Sequence, residues 1–281
     1  MEIPANIQTL LPKPWNQLSD SEKRFTAALI AYIAGDAFGA YYEFSEIVLD
    51  IPNELRKKEN WTFGGTSDDT SLTILTLLTL AADSPEVAAE SFINLLHDNQ
   101  NKLRGLGPTT RSALGMQVKE REVNSIGFTN GAMMRTALLG LIFQDESERN
   151  SWVRALASST HRLYAVETSV SLAMAFASGS MEVASSWDSN DQGVSNDALD
   201  TFNAIGYVVQ HSDSPFDAMR VSCSMGGDTD TVAALSAGLI SLRPGGLEKV
   251  FEIPWLENVD WNEIYGFTEA LKVVFSRLAK Q

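Results

Sequence analysis

Apolar residues recur along this chain at intervals of three and four, the spacing that gathers them on one face of an α-helix. Phe25, Ala28, Leu29, Tyr32 and Ile33 set the pattern. Ser19 and Glu22 stand just ahead of them at capping-box spacing, so a helix starts there and runs into Gly35-Asp36-Ala37-Phe38-Gly39. The same periodicity predicts helices over about 71–82, 85–97, 108–120, 131–144, 148–158, 164–178, 197–211, 214–224, 231–242 and 261–279. The strict alternation that marks strands is almost absent. The chain therefore reads as all-α, one compact multi-helix domain over residues 1–281. Residues 1–18 form an N-terminal extension, and the polar segment SSWDSNDQGVSN, 185–196, forms a solvent-facing loop. Met133, Met134 and the leucine-rich run 71–80 fall on the buried face.

With 281 residues, 44% of them hydrophobic, the chain can bury a large core. Its formal charge of −15, from 36 acidic and 21 basic residues, repels polyphosphate polymers and anionic membranes, which argues against nucleic acid or lipid surfaces as partners. No uninterrupted apolar stretch is long enough for a membrane span. Cys223 is the single cysteine, so an internal disulfide and a cysteine-based zinc cluster are excluded. The opening MEIPANIQTLLPKPW carries an acid and prolines where a signal peptide needs basic and then apolar residues. The expectation is a cytoplasmic protein.

The candidate chemistry lies in two similar stretches. Gly64-Gly65-Thr66-Ser67-Asp68-Asp69-Thr70 precedes SLTILTLL, and Gly226-Gly227-Asp228-Thr229-Asp230-Thr231 precedes VAALSAGLI. One reading is helix capping, since Asp, Ser and Thr at a helix start accept hydrogen bonds from unpaired backbone N–H groups. A cap needs one such side chain, and each stretch supplies at least three. The other reading brings the two helix starts together. Four carboxylates would then share a small volume, where a like-charge pair at about 4 Å costs about 4 kcal/mol at an effective dielectric near 20. Such a cluster either holds protons or binds cations. Its donors are all oxygen, with the Ser67 and Thr231 hydroxyls at hand, which selects Mg²⁺, Mn²⁺ or Ca²⁺ over zinc.

In order along the chain, Gly35-Asp36-Ala37-Phe38-Gly39-Ala40-Tyr41-Tyr42-Glu43-Phe44, Ser67-Asp68-Asp69-Thr70, Gly107-Pro108-Thr109-Thr110, Asn130-Gly131-Ala132-Met133-Met134-Arg135, Thr160-His161 and Gly226-Gly227-Asp228-Thr229-Asp230-Thr231 resemble the motifs of the ADP-ribosylglycohydrolase family. The resemblance implies an all-α fold and hydrolysis of the bond joining ADP-ribose to an acceptor, reversing a modification made by a transferase or toxin. It also implies two Mg²⁺ ions, with Mn²⁺ as a substitute, held by Ser67, Asp68, Asp69, Asp228, Asp230 and Thr231. Glu43 is similar to the family's acidic residue beside the scissile bond, and with Asp68 and Asp69 makes up the expected catalytic group. Gly107, Gly127, Phe128, Asn130, Gly131 and His161 correspond to the substrate-binding set, with Phe128 near the adenine and His161 on the ribose or phosphates. The binding-class alternative is a protein of the same fold that retains ADP-ribose or neutralises a toxin. Asp36, between apolar residues, reads as a structural buried carboxylate. Ser67 stands where many relatives carry threonine, and Gly127 where arginine-directed members carry a carboxylate, so an arginine acceptor is not implied.

Overall fold

The computed structural model describes residues 3–45, 47–181, 187 and 193–280. Among them run α1 (Ala5–Gln8), α2 (Asp20–Gly39), α3 (Asp68–Thr79), α4 (Pro85–Asn99), α5 (Pro108–Ala113), α6 (Gly131–Thr136), α7 (Glu146–Ser158), α8 (Tyr164–Ser178), α9 (Ala198–Gln210), α10 (Pro215–Met225), α11 (Thr229–Ile240), α12 (Gly246–Val250) and α13 (Phe267–Leu278). The described residues form no strand, and two isolated bridges, Thr129 with Asp197 and Val194 with Gly227, are their extended pairings. None of the helices is long and apolar enough to cross a membrane. Of the polar segment 185–196, residues 185, 186 and 188–192 lie outside the described residues; Trp187, Gly193 and Val194 are buried rather than solvent-facing, Val194 because it pairs with the turn at Gly226 and Asp228.

Two helices are central because they are apolar all round. Every residue of α2 from Phe25 to Gly39 is buried, and so is every residue of α11. Asp36 and Asp230 are thereby carried into the interior by the sequences around them. The Ser19 capping box is present in full: its hydroxyl accepts from the Glu22 N–H, and the Glu22 carboxylate accepts from the Ser19 N–H at 2.7 Å. Peripheral helices bury one stripe, as α13 does with Phe267, Ala270, Leu271, Val274 and Phe275.

α2 and α11 cross closely because α2 has no side chain at the crossing. A Cβ on Gly39 would lie 2.5 Å from the Asp230 Cα, and one on Gly35 would lie 2.5 Å from the Ala233 carbonyl oxygen. The Thr229 hydroxyl donates to the Gly39 carbonyl at 3.0 Å and fixes the register. The start of α11 is therefore clamped to the end of α2.

Three predicted helices are shorter than their periodicity. The 108–120 pattern stops at Ala113, where the Met116 N–H turns back to the Arg111 carbonyl at 2.8 Å. The 131–144 pattern becomes a tighter 3-10 turn from Ala137 to Leu141. The 261–279 pattern divides into a single turn at Trp261–Glu263 and α13, separated by Gly266 in the left-handed region at φ 84°. Apolar spacing survives across each break, since the turns still face the core.

Candidate functional site

The first acidic stretch starts α3. Ser67 is its N-cap, accepting from the Asp69 N–H at 3.1 Å. A second cap comes from α2: Asp36 accepts from the Ser67 N–H at 2.9 Å, the Thr70 N–H at 3.0 Å and the Thr70 hydroxyl at 2.5 Å. Asp36 is thus the structural carboxylate expected from its apolar neighbours. Its capping leaves Asp68 and Asp69 with no such duty, although both are buried. Asp69 Oδ2 is buried without a hydrogen-bond partner.

The second stretch starts α11 from a backbone that only glycine tolerates. Gly226 and Gly227 have φ of 71° and 77°, and a Cβ on Gly227 would lie 2.0 Å from the Val194 carbonyl oxygen. Val194 zips onto this turn, its N–H donating to Gly226 at 3.0 Å and its carbonyl accepting from the Asp228 N–H at 2.8 Å. Asp228 caps nothing. Its carboxylate accepts from the Asn130 amide at 2.6 Å and the Thr231 hydroxyl at 3.2 Å, while Asp230 accepts from the Thr231 N–H at 2.9 Å.

Between them passes the irregular segment 40–67. Phe44, held at φ 52°, donates its N–H to the Gly227 carbonyl at 2.8 Å, and this contact swings Glu43 toward the second loop. Glu43, Asp228 and Asp230 each place a carboxylate oxygen within 4.8 Å of the others. Glu43 is also ion-paired with Lys58.

One cavity of about 160 Å³ collects these groups: Glu43, Asp68, Asp69, Asp228, Asp230 and Thr231 line it together with Gly107, Thr110, Arg111, Asn130 and Gly131. The two distant glycine-aspartate turns thus face each other across one space. A larger cavity of about 370 Å³, reached by Thr66, Arg104 and Tyr265, contains none of these aspartates. Of these two, the acidic cavity is the one that gathers the clustered carboxylates.

Burial and mutual repulsion raise all four aspartates above the usual carboxylate range. Burial first, then the charges of Glu43 and Asp36, pushes Asp68 up to about 8. Burial and Glu43 push Asp228 up to about 6, against the hydrogen bonds from Asn130 and Thr231. Asp69 and Asp230 are raised well above the usual carboxylate range, by burial and then by neighbouring acids. A cluster at that potential either keeps protons or takes up positive charge. Its oxygen-only donors, the unpartnered Asp69 Oδ2 and the convergence of Glu43 with Asp228 and Asp230 fit a hard divalent cation.

The remaining expected residues divide between the cavity wall and the layer behind it. Gly107, Asn130 and Gly131 are on the wall, and a Cβ on Gly107 would meet open space. Asn130 also donates to Thr201 at 2.9 Å, so its amide braces Asp228 against α9. His161 stands behind Thr129: one ring nitrogen is 3.1 Å from the Thr129 hydroxyl, the other 2.7 Å from that of Thr160. Burial and nearby Arg135 lower it to about 3, leaving a neutral imidazole. Gly127 is buried beside Arg162, and Phe128 stacks on Tyr164 with ring centroids 5.2 Å apart. Ser67 keeps its hydroxyl on the Asp69 N–H. Two cationic residues at the site carry no sequence signal of their own: Arg111, on the wall and held by Glu122 at 2.7 Å, and Lys58, which pairs with Glu43 from beside the cavity. Arg111 directly follows the quoted Gly107-Pro108-Thr109-Thr110, the one hint available.

A family model for ADP-ribosylglycohydrolase matches residues 17–189, which takes in the first acidic stretch and stops short of the second. A solved chain described as an "ADP-ribosylglycohydrolase-related protein complex" superposes with a TM-score of 0.70, covering 93% of this chain and 100% of its own at 21% identity. At that identity the likeness is one of fold. No curated protein matches the chain.

Proposed function

The chain belongs to the ADP-ribosylglycohydrolase family, and from that premise we propose that it is a divalent-cation-dependent hydrolase that releases ADP-ribose from a glycosidic conjugate, with Mg²⁺ as the working ion. The observation that carries this reading is the convergence of Asp68, Asp69, Asp228 and Asp230, from two separate turns, and of Glu43, from a third stretch, on one cavity. Cleavage at an anomeric carbon develops positive charge on the sugar, which a carboxylate-lined site favours. Asp68, Asp69, Asp228 and Asp230, with Glu43 or the hydroxyls of Ser67 and Thr231, would hold the ions. When bound there, such ions supply Lewis-acid polarisation of oxygen.

The chain's own groups do the rest. Glu43, at the edge of the cluster, takes a proton from the attacking water. Asn130 keeps Asp228 oriented, and the side-chain-free wall at Gly107 and Gly131 leaves room for the diphosphate. Behind that wall, neutral His161 fixes the Thr129 hydroxyl, so its contribution to substrate binding is through Thr129. Phe128, backed by Tyr164, offers an aromatic edge for adenine.

Incubation with arginine-, serine-, aspartate- and nucleotide-linked ADP-ribose, in Mg²⁺ and in EDTA, tests the proposal by mass spectrometry. Release of ADP-ribose from at least one conjugate is expected, lost in EDTA and in Asp68→Ala and Asp230→Ala. Equal turnover by both variants would remove the metal mechanism, and no turnover of any conjugate would remove the hydrolase reading.

A further inference from the structure

One acid of the cavity carries a positive partner from outside its lining. Lys58 lies on segment 40–67, six residues ahead of Gly64 and far in sequence from the second aspartate turn, and its ammonium pairs with Glu43 Oε2. It is held there rather than arriving by chance. Lys58 Nζ stands 4.7 Å from the centroid of the Trp61 ring, and the same ring carries the Arg104 guanidinium at 4.8 Å. Arg104 is in turn bonded through Nε to the Thr66 carbonyl at 2.9 Å and through Nη2 to Glu263 at 2.9 Å. This strip joins the ammonium to the backbone just before Ser67 and Asp68. Arg111, a cationic side chain on the cavity wall, pairs with Glu122 instead.

The partner of Lys58 is the carboxylate that converges with Asp228 and Asp230 within 4.8 Å. A divalent ion seated among those three acids must share Glu43 with the ammonium or displace it. We infer that Lys58 is a built-in counter-cation to Glu43, a positioning residue that sets the affinity of the acidic centre for divalent ions and holds Glu43 at the cavity edge until an ion claims it. This rests on the proposed metal centre, but not on any hydrolytic activity. The direction follows from charge: an ammonium beside the centre opposes a second cation, so its removal tightens metal binding.

The test is calorimetric titration of Mn²⁺ into the purified chain. Lys58→Met keeps the aliphatic stem on Trp61 and removes the charge, and it is expected to bind Mn²⁺ about three- to fivefold more tightly, the upper end of the scale of a partly exposed ion pair. Lys58→Arg should return to the wild-type affinity. Trp61→Leu, which loosens the ammonium without altering either charge, should shift affinity in the same direction by a smaller factor. In the Glu43→Gln background, Lys58→Met should change affinity by no more than about twofold, since the coupling runs through Glu43. Unchanged or weaker binding by Lys58→Met, or the same tightening in both backgrounds, overturns the inference. Absence of Mn²⁺ binding by wild type and every variant would instead overturn the metal centre itself. Those two failures are distinct.

Discussion

Asp68 shows what a single buried acid does to a protein's response to pH. Its carboxyl sits at about 8 against an ordinary 3.8, so the folded chain holds a proton that the unfolded chain has already released. A group raised in this way contributes its full stability below the unfolded value and loses it as pH climbs through the folded one. Asp228, at about 6, acts in the same sense over a lower window, and Asp69 and Asp230 are raised too. His161 works against them: lowered from 6.5 to about 3, it penalises acidification, but only below 6.5. Between 6.5 and 8 it is silent and the acids govern. The chelated protein is therefore expected to lose stability over that interval, with a single proton contributing up to about 1.4 kcal/mol per pH unit. Urea unfolding in EDTA at half-unit steps reads the slope directly. Asp68→Asn should flatten it, and a slope that is positive, or equal in the variant, would show that Asp68 does not hold its proton.

At the scale of elements, the site depends on how closely one helix start can approach another helix's end. Gly39 is the contact point: a methyl there would lie 2.5 Å from the Asp230 Cα and 2.6 Å from the Thr229 carbonyl oxygen, both backbone atoms. Neither helix has a flexible tip to yield. Gly39→Ala is expected to cost about 2–4 kcal/mol in denaturant unfolding, from the upper part of the usual range for overpacking to somewhat beyond it. It should also weaken cation-induced stabilisation, because Asp230 and the Glu43 turn shift apart. Retention of both would mean that the α2–α11 crossing does not set the centre. Much of this was legible beforehand. The apolar periodicity of α2 and α8 gave their extents closely, and the paired glycine-aspartate turns identified the loops that converge. The overlong 108–120 pattern was misleading because the Met116 N–H closes on Arg111 while the apolar spacing continues. Lys58 was invisible for a different reason. It sits in a helix-free segment, where no period says which way a side chain points, and only the fold brings it to Glu43. The bracing of Asp228 by Asn130 and Thr201 is likewise a meeting of residues from three elements.

Across the whole molecule, the acidic centre joins parts of the chain that would otherwise repel one another. The turn at 226–231 and the turn at 64–70 lie far apart in sequence and meet across the cavity with segment 41–45 between them. The protein also carries a formal charge of −15, so self-repulsion opposes compaction at low ionic strength. Two kinds of cation should relieve these strains differently. Monovalent salt screens exposed charges over about 10 Å at 0.1 M but reaches a buried cluster poorly. A divalent ion bound within the cluster acts by mass action, contributing about 2.7 kcal/mol at a hundredfold excess over its Kd. Hydrogen exchange followed by mass spectrometry separates the two. In Mg²⁺, amides of 41–45, 64–70 and 226–231 should gain protection together, because an ion held by both turns ties their opening into one event. NaCl at matched ionic strength should slow exchange at most slightly and without that grouping. If Mg²⁺ protected only one of the two turns, the ion would be a ligand of a single loop and the convergence seen in the cavity would be steric; if NaCl reproduced the whole pattern, screening of the overall charge would account for it.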